Sequence, residues 1–515
     1  MRGAIARESR RRANMSDAPA SSTAWWRRRE LLATRTTTTT TTTATTTAEE
    51  ERLANDAKAR VQSGVLATFA TWFDHRGGKI HERVRMTYRP NFGWSLEADG
   101  DIADGERLVS LPPKLMLRCD SDDVSEPLKN VVDRVPNEFW SSKVGLVLLR
   151  ERVAGAHSAF APYITLLPAV HEGSPTFFPP DAVRALEYAP IVQQINKRAR
   201  FLGTFAGNAL TVDDGESYVD AAHPGRQRVE MTIDANALGW ATACASSRAF
   251  KVGANSAPAM LPVIDICNHS FNPSVSVRAI EEGDNAGGVE LIARRALTSG
   301  EPIELSYGNL SNDELLLDYG FIVKDNPFDC VKLRWDLQLI ELAREIGGLA
   351  AAPIGAATSE SASESATHLD TVAKVAPWQA TALERIGLVG DDPNVELSVF
   401  GAGQVMDKKA LAGLRVLYSK SSAEASRAAD APFGEIDADV VSKDTEIKAL
   451  RTCMSLLALA LGNFSTTLEK DEELHDAATS PQVRLAIAFR MEKKKVLAKS
   501  MARLNESIER LQRDE

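Results

Sequence analysis

The run from Met260 to Phe321 contains DICNHS (Asp265 to Ser270), SGEPIELSYG (Ser299 to Gly308) and SNDELLLDYGF (Ser311 to Phe321), and its reading decides the fold. Leu261 to Cys267 is short and mostly apolar and ends on Asn268-His269-Ser270, the pattern of a buried strand running into a polar turn. Val289 to Ala293 reads as a second strand leading to a turn at Ser299-Gly300. Beyond it Ile303 and Leu305 alternate with polar neighbours until Tyr307-Gly308 breaks the alternation, so Tyr307 falls at a strand end. Ser311 followed three residues later by Glu314 is a capping box. It predicts a short helix that stops at Gly320, a residue free to turn left-handed, with Tyr319 in the last turn. An Asp, an Asn-His pair and two tyrosines are thus gathered at the ends of short elements.

Working outward, 515 residues with 44% apolar and 25% charged composition have room for two cored domains. No uninterrupted apolar segment approaches the roughly eighteen residues of a spanning helix, so no integral membrane association is expected. Five cysteines (Cys119, Cys244, Cys267, Cys330, Cys453) without a CxxC pair argue for a reducing compartment and against a disulfide framework or a structural zinc cluster. The eight histidines show no ligand spacing, and no metal is expected. Net charge is -10, and because residues 1–47 hold nine Arg against three acids, the remainder carries -16. A body this acidic is not built to grip nucleic acid, which leaves protein or small-molecule partners.

Met1 to Thr47 is rich in Arg, Ala, Ser and Thr, lacks Lys, and is expected to be disordered, with the composition of an organelle transit peptide. Glu49 to Phe73 reads as a helix through Val61, Val65, Phe69 and Trp72, stopped at Gly77-Gly78. Lys143 to Arg152 and Ala182 to Ala206 read as helices, and Asp234 as the N-cap of a helix from Ala235 to Ser247 that delivers Ser247-Arg248-Ala249-Phe250. Further helices are expected at Trp335 to Ile346, Pro377 to Ile386, Asp407 to Tyr418 and Asp444 to Leu461, with Ala350 to Thr367 a flexible surface loop. Pro481 opens a long helix whose Leu497, Met501, Leu504, Ile508 and Leu511 suit packing on the protein's own helices.

Taken together, NHS after an apolar run, GE, SYG, SN-EL and DYGF resemble the SET-domain protein methyltransferases, specifically those similar to plant Rubisco large-subunit lysine methyltransferase. The resemblance extends from about Gly78 to about Asn505, and Thr466 to Leu474 resembles the TT-EED-L segment of that family's C-terminal substrate-binding domain. It implies an α+β fold: a β-rich SET domain of small sheets with a pseudoknot-like core over residues 78–325, a helical insertion at about 125–230, and an all-α substrate-binding domain over 326–515 with a loop at 350–370. Residues 48–77 form an N-terminal helix ahead of it. The implied cofactor is S-adenosylmethionine, held by Phe92, Gly93, Trp94, Arg248, Asn268, His269 and Phe321. Tyr307 is the implied catalytic residue, and Asp265 and Tyr319 the implied substrate contacts. Ser95 stands where a second glycine is typical, and Val252 where a further Arg is usual.

What the resemblance implies is methylation of a lysine in a protein such as Rubisco large subunit or aldolase, by a monomer in the chloroplast, or otherwise in cytosol or nucleus. Two rivals stand beside it: a protein-histidine methyltransferase, favoured less by the retention of Tyr319, and a non-catalytic SET-type binding module, which Ser95 and Val252 would suit.

Overall fold

The structure is a computed structural model and describes residues 63–89, 93–208, 210–213, 230–252, 257–349, 375–388, 395–430 and 440–513. The expectations for residues 1–47, for Phe92 and for the 350–367 loop lie outside these. The chain divides into two units, Met1–His171 with Ile195–Tyr307, and Glu172–Gln194 with Gly308–Glu515.

In the first unit residues 63–75 are helical, with Phe69 and Phe73 buried. The helix stops at Gly77, whose φ is +77°, and a Cβ on Gly78 would fall 2.4 Å from the Phe73 ring, which is why glycine stands there. Strands Val84–Arg89 and Gly93–Ala98 form a hairpin. A four-stranded antiparallel sheet runs in the order Lys79–Ile80, Arg107–Leu111, Val289–Ala293, Val275–Ala279, so the last of these is an outer strand. Leu117–Arg118, Ala259–Met260 and Ala249–Phe250 form a small sheet, and Asn268–His269 pairs in parallel with Glu304–Leu305. Helices Trp140–Ala154 and Ala235–Arg248 pack at close range: a Cβ on Gly145 would lie 3.0 Å from the Ala241 backbone, and Ser142 and Thr242 hydroxyls meet at 2.9 Å. Asp234 caps the second helix by accepting from Ala237 N–H at 2.7 Å. Arg248 is therefore delivered at a defined helix end.

Two local expectations are corrected. Leu261 to Cys267 is not a strand: only Ala259–Met260 pair, and the chain then turns into a 3₁₀ segment, Ile264–Ile266, before Asn268–His269. Pro262 lacks the N–H a ladder needs, and the amides of Asp265 and Ile266 bond back to the Leu261 and Val263 carbonyls. Ala182 to Ala206 is not one helix but two, Pro180–Ala185 and Ala189–Ala206. Between them Glu187 has φ +47°, and Arg490 Nη1 donates to both Ala185 O at 2.9 Å and Glu187 Oε1 at 2.8 Å, replacing helical bonds with a side-chain clamp.

In the second unit the Ser311–Glu314 capping box forms with both reciprocal bonds, opening helix Asn312–Glu314, which continues as a π-helix, Leu315–Tyr319. Gly320 ends it at φ +79°. Helices Leu337–Ile346, Pro377–Arg385, Lys408–Tyr418 and Lys443–Gly462 fall where periodicity predicts them, and Ser422–Asp430 adds one more. The region is helical, with one addition that corrects the all-α expectation: Cys330–Arg334 pairs antiparallel with Glu396–Phe400. Pro481–Arg513 buries Leu497, Leu504, Ile508 and Leu511, and against Lys443–Gly462 forms one of the largest helix contacts of the unit. That helix also carries buried charge. Lys493 is fully buried and donates to Asp329 Oδ1 at 2.6 Å, to Cys330 O at 2.8 Å and to Asp313. Asp471, from the TT-EED-L-like segment, is fully buried between Arg490 at 2.7 Å and Lys494 at 2.6 Å.

Candidate active site

The site residues of the first unit meet around the 3₁₀ segment that carries Asp265. Val263, a buried β-branched residue, sits at φ +76°, a conformation that costs about 1–3 kcal/mol and persists only where the surroundings impose it. The strained turn drives the Asp265 carboxyl inward. Its Oδ2 accepts a short hydrogen bond from the buried Tyr163 hydroxyl, and Arg248 Nη1 donates to the Asp265 carbonyl at 3.1 Å. Burial raises the Asp265 pKa to about 6, with Arg248 and Tyr163 acting in the opposite sense. Burial also acts to lower the Arg248 pKa, but Asp265, Tyr163, Cys244 and Tyr307 outweigh it and the net shift is upward. Two buried atoms of this cluster, Arg248 Nε and Asp265 Oδ1, have no hydrogen-bond partner. Leaving such a donor and acceptor open costs about 1–3 kcal/mol each, which a ligand with a matching acceptor and donor would recover.

His269 and Tyr307 are locked together. The parallel pairing sets His269 opposite Leu305, and the Tyr307 amide donates to His269 Nδ1 at 3.1 Å. With Nδ1 accepting, a neutral ring carries its proton on Nε2, and burial lowers the His269 pKa so that the neutral form is favoured. The Tyr307 hydroxyl donates to Cys267 O at 2.7 Å, which commits its proton. Phe250 stands edge-on to the Tyr307 ring, with centroids 6.2 Å apart. Asn268 is exposed and holds its place through backbone pairing with Glu304.

Gly93 opens its strand at φ +73° with nothing within 4 Å of a would-be Cβ, so the position needs glycine for its backbone and has open space beside it. Trp94 packs edge-on against Tyr88 at 5.2 Å. Ser95 is buried and its hydroxyl meets that of Thr87 across the hairpin at 2.9 Å, so the departure from glycine is absorbed without breaking the pairing. Tyr319 and Phe321 belong to the second unit, where their rings meet edge-on at 6.1 Å; burial raises the Tyr319 pKa to about 12. The sequence reading missed Tyr163, which lies 102 residues from Asp265 and carries no local signal. It also missed the part-buried His171–Cys244 pair at 3.0 Å, where burial pushes the imidazole down to about 4 and the thiol up to about 12. Neither of those two is ionised as an activated thiol would require.

Residues 93–308 match the family model described as SET domain, and residues 370–497 match Rubisco LSMT substrate-binding. Curated relatives include an actin-histidine N-methyltransferase of Homo sapiens, 24% identical over 472 residues that cover 86% of this chain and 69% of the relative. The Papio anubis protein of the same name is 23% identical over 470 residues, with the same coverage. Among solved structures, the SET domain of LSMT bound to lysine and AdoHcy aligns at TM-score 0.59 and 19% identity over 87% of this chain and 92% of that one. Rubisco LSMT bound to AdoMet aligns at 0.57 and 20% identity over 87% and 93%.

Proposed function

We propose that this chain, a SET-domain protein that continues into a Rubisco LSMT substrate-binding region, transfers a methyl group from S-adenosylmethionine to a lysine side chain of another protein. The observation that carries the reading is the open donor and acceptor, Arg248 Nε and Asp265 Oδ1, in the cluster that includes Tyr307. They match the α-carboxylate and α-ammonium of an amino-acid head such as the cofactor's, and a guanidinium is the donor best suited to a carboxylate. An ionised Asp265 beside the target amine would stabilise its ammonium form and oppose reaction, so we assign Asp265 to the cofactor's ammonium. Gly93, Trp94, Asn268 and His269 line the rest of the cofactor site in this reading.

When bound, the cofactor supplies an electrophilic methyl on a sulfonium centre. The chain must supply a neutral amine: with a free lysine pKa near 10.4, only about one side chain in a few thousand is neutral at pH 7. Burial of the amine beside the apolar Phe250 side chain would lower that pKa, because desolvation disfavours the ammonium form. Tyr307, its proton committed to Cys267 O, accepts from the amine N–H and aims the nitrogen lone pair, while the released proton passes to water. The retention of Tyr319 in the DYGF motif is what favours lysine over histidine as the target.

The relatives' names favour a second reading, histidine methylation. A non-catalytic binding role is the third, and calorimetry with S-adenosylmethionine tests it through the absence of binding. Purified Rubisco large subunit, plastid aldolase and actin are incubated with labelled cofactor, and the products are mapped by mass spectrometry. Methyl-lysine is expected; methyl-histidine alone overturns the lysine assignment. A fluorescent fusion carrying residues 1–47 tests the chloroplast location, and cytosolic fluorescence would remove both plastid substrates.

A further inference from the structure

Beside Tyr307 the first unit opens a cleft of about 300 Å³. It borders the proposed reaction centre twice, through Ser306, which precedes Tyr307, and through Phe250, whose ring stands edge-on to it. Val275, Ser276 and Val277 all line the cleft. Successive side chains of a strand point to opposite faces, so three consecutive residues border one space only when the edge of the strand faces it. Val275–Ala279 is the outer strand of its sheet, paired on one side with Val289–Ala293. Val252 and Leu305 supply apolar wall on either side.

The charges of the cleft are one-sided. Lys251 and Arg294 line it, both exposed, and no acidic residue does. Among the described residues neither has a carboxylate within ion-pair distance, whereas nearby Arg278 pairs with Glu290 at 2.9 Å and Arg295 pairs with Glu301. Two unpaired cations in an acid-free cleft, on a chain of net charge -10, are complementary to an acidic segment.

We propose that Lys251 and Arg294 at this cleft select substrates with an acidic residue close in sequence to the methylated one. The proposal rests on the methyl-transfer reading, and the experiment separates the two. Fluorescein-labelled 15-residue peptides with one central lysine, flanked on either side by aspartate or by alanine, are measured for binding by anisotropy and for methylation with labelled cofactor. Roughly three- to tenfold tighter binding of the aspartate peptides is expected, the size two solvent-exposed ion pairs give, and it should fade as salt is raised. In methylation the same factor should fall on KM with kcat unchanged. The Lys251→Glu/Arg294→Glu variant, both positions being exposed, should keep the wild-type melting temperature and prefer lysine-flanked peptides. Equal binding of aspartate and alanine peptides, or an acidic preference that survives in the charge-reversed variant, overturns the proposal. Acid-selective binding that the variant loses, without methyl transfer to any peptide, supports the cleft assignment and overturns the transfer reading.

Discussion

Replacing Tyr307 by Phe removes one hydroxyl from the proposed reaction centre and leaves the ring against Phe250 and His269. The structure separates two consequences. The lost bond to Cys267 O at 2.7 Å is worth about 0.5–1.5 kcal/mol, and in a unit of this size that lowers the melting temperature by about 2–4 °C per kcal/mol. Loss of a group that positions the amine in the transition state lowers turnover by about 10²–10⁴, equivalent to about 3–5 kcal/mol on the barrier. Cofactor affinity should hold within a factor of two or so, because the open donor and acceptor belong to Arg248 and Asp265 and not to Tyr307. The assay is transfer of labelled methyl at saturating cofactor, with calorimetric affinity and melting temperature measured on the same preparations. A variant that melts a few degrees lower and transfers methyl at the wild-type rate refutes the catalytic role.

Asp265, with its pKa raised to about 6, gives a signed pH dependence. In the ligand-free protein the folded state holds this proton more tightly than the unfolded chain. Stability from this group is therefore greatest below pH 4 and declines by about 3 kcal/mol as pH rises to 6, about two units at 1.36 kcal/mol each. Cofactor affinity runs the other way, full above pH 6 and weaker by up to about tenfold per unit below it; in Asp265→Asn the calorimetric affinity should be low and flat with pH. Lys493→Met leaves Asp313 and Asp329 buried without their cation, and denaturant unfolding should report a loss of about 3–5 kcal/mol. Gly145→Ala should cost about 1–3 kcal/mol in the same measurement, since the added methyl meets the Ala241 backbone at 3.0 Å.

What the sequence determined is what neighbouring residues settle among themselves. The Ser311–Glu314 box, the stop at Gly320, the Asp234 cap and the strand Val289–Ala293 each depend on bonds or alternation spanning a few residues, and each forms where the sequence places it. With those ends fixed, Arg248 and Tyr319 fall at helix ends as expected, while Tyr307 lies two residues past the strand Glu304–Leu305 and His269 lies in a short strand of its own. Tertiary structure decided the rest, because the partners are far apart in the chain. Cys330–Arg334 becomes a strand only by pairing with Glu396–Phe400, and no helical or alternating period in either segment names the other. Leu261 to Cys267 has the apolar content of a strand, yet a proline and bonds back to its own carbonyls turn it, with Val263 held at φ +76°. The Asp265 carboxyl takes its character from Tyr163 and from burial that many segments jointly impose. Lys493, which reads as one more charge on a long helix, is the buried cation between Asp313 and Asp329. Burial and long-range pairing are properties of the assembled chain, and the open donor and acceptor of the site exist only once that assembly has excluded water from Arg248 and Asp265.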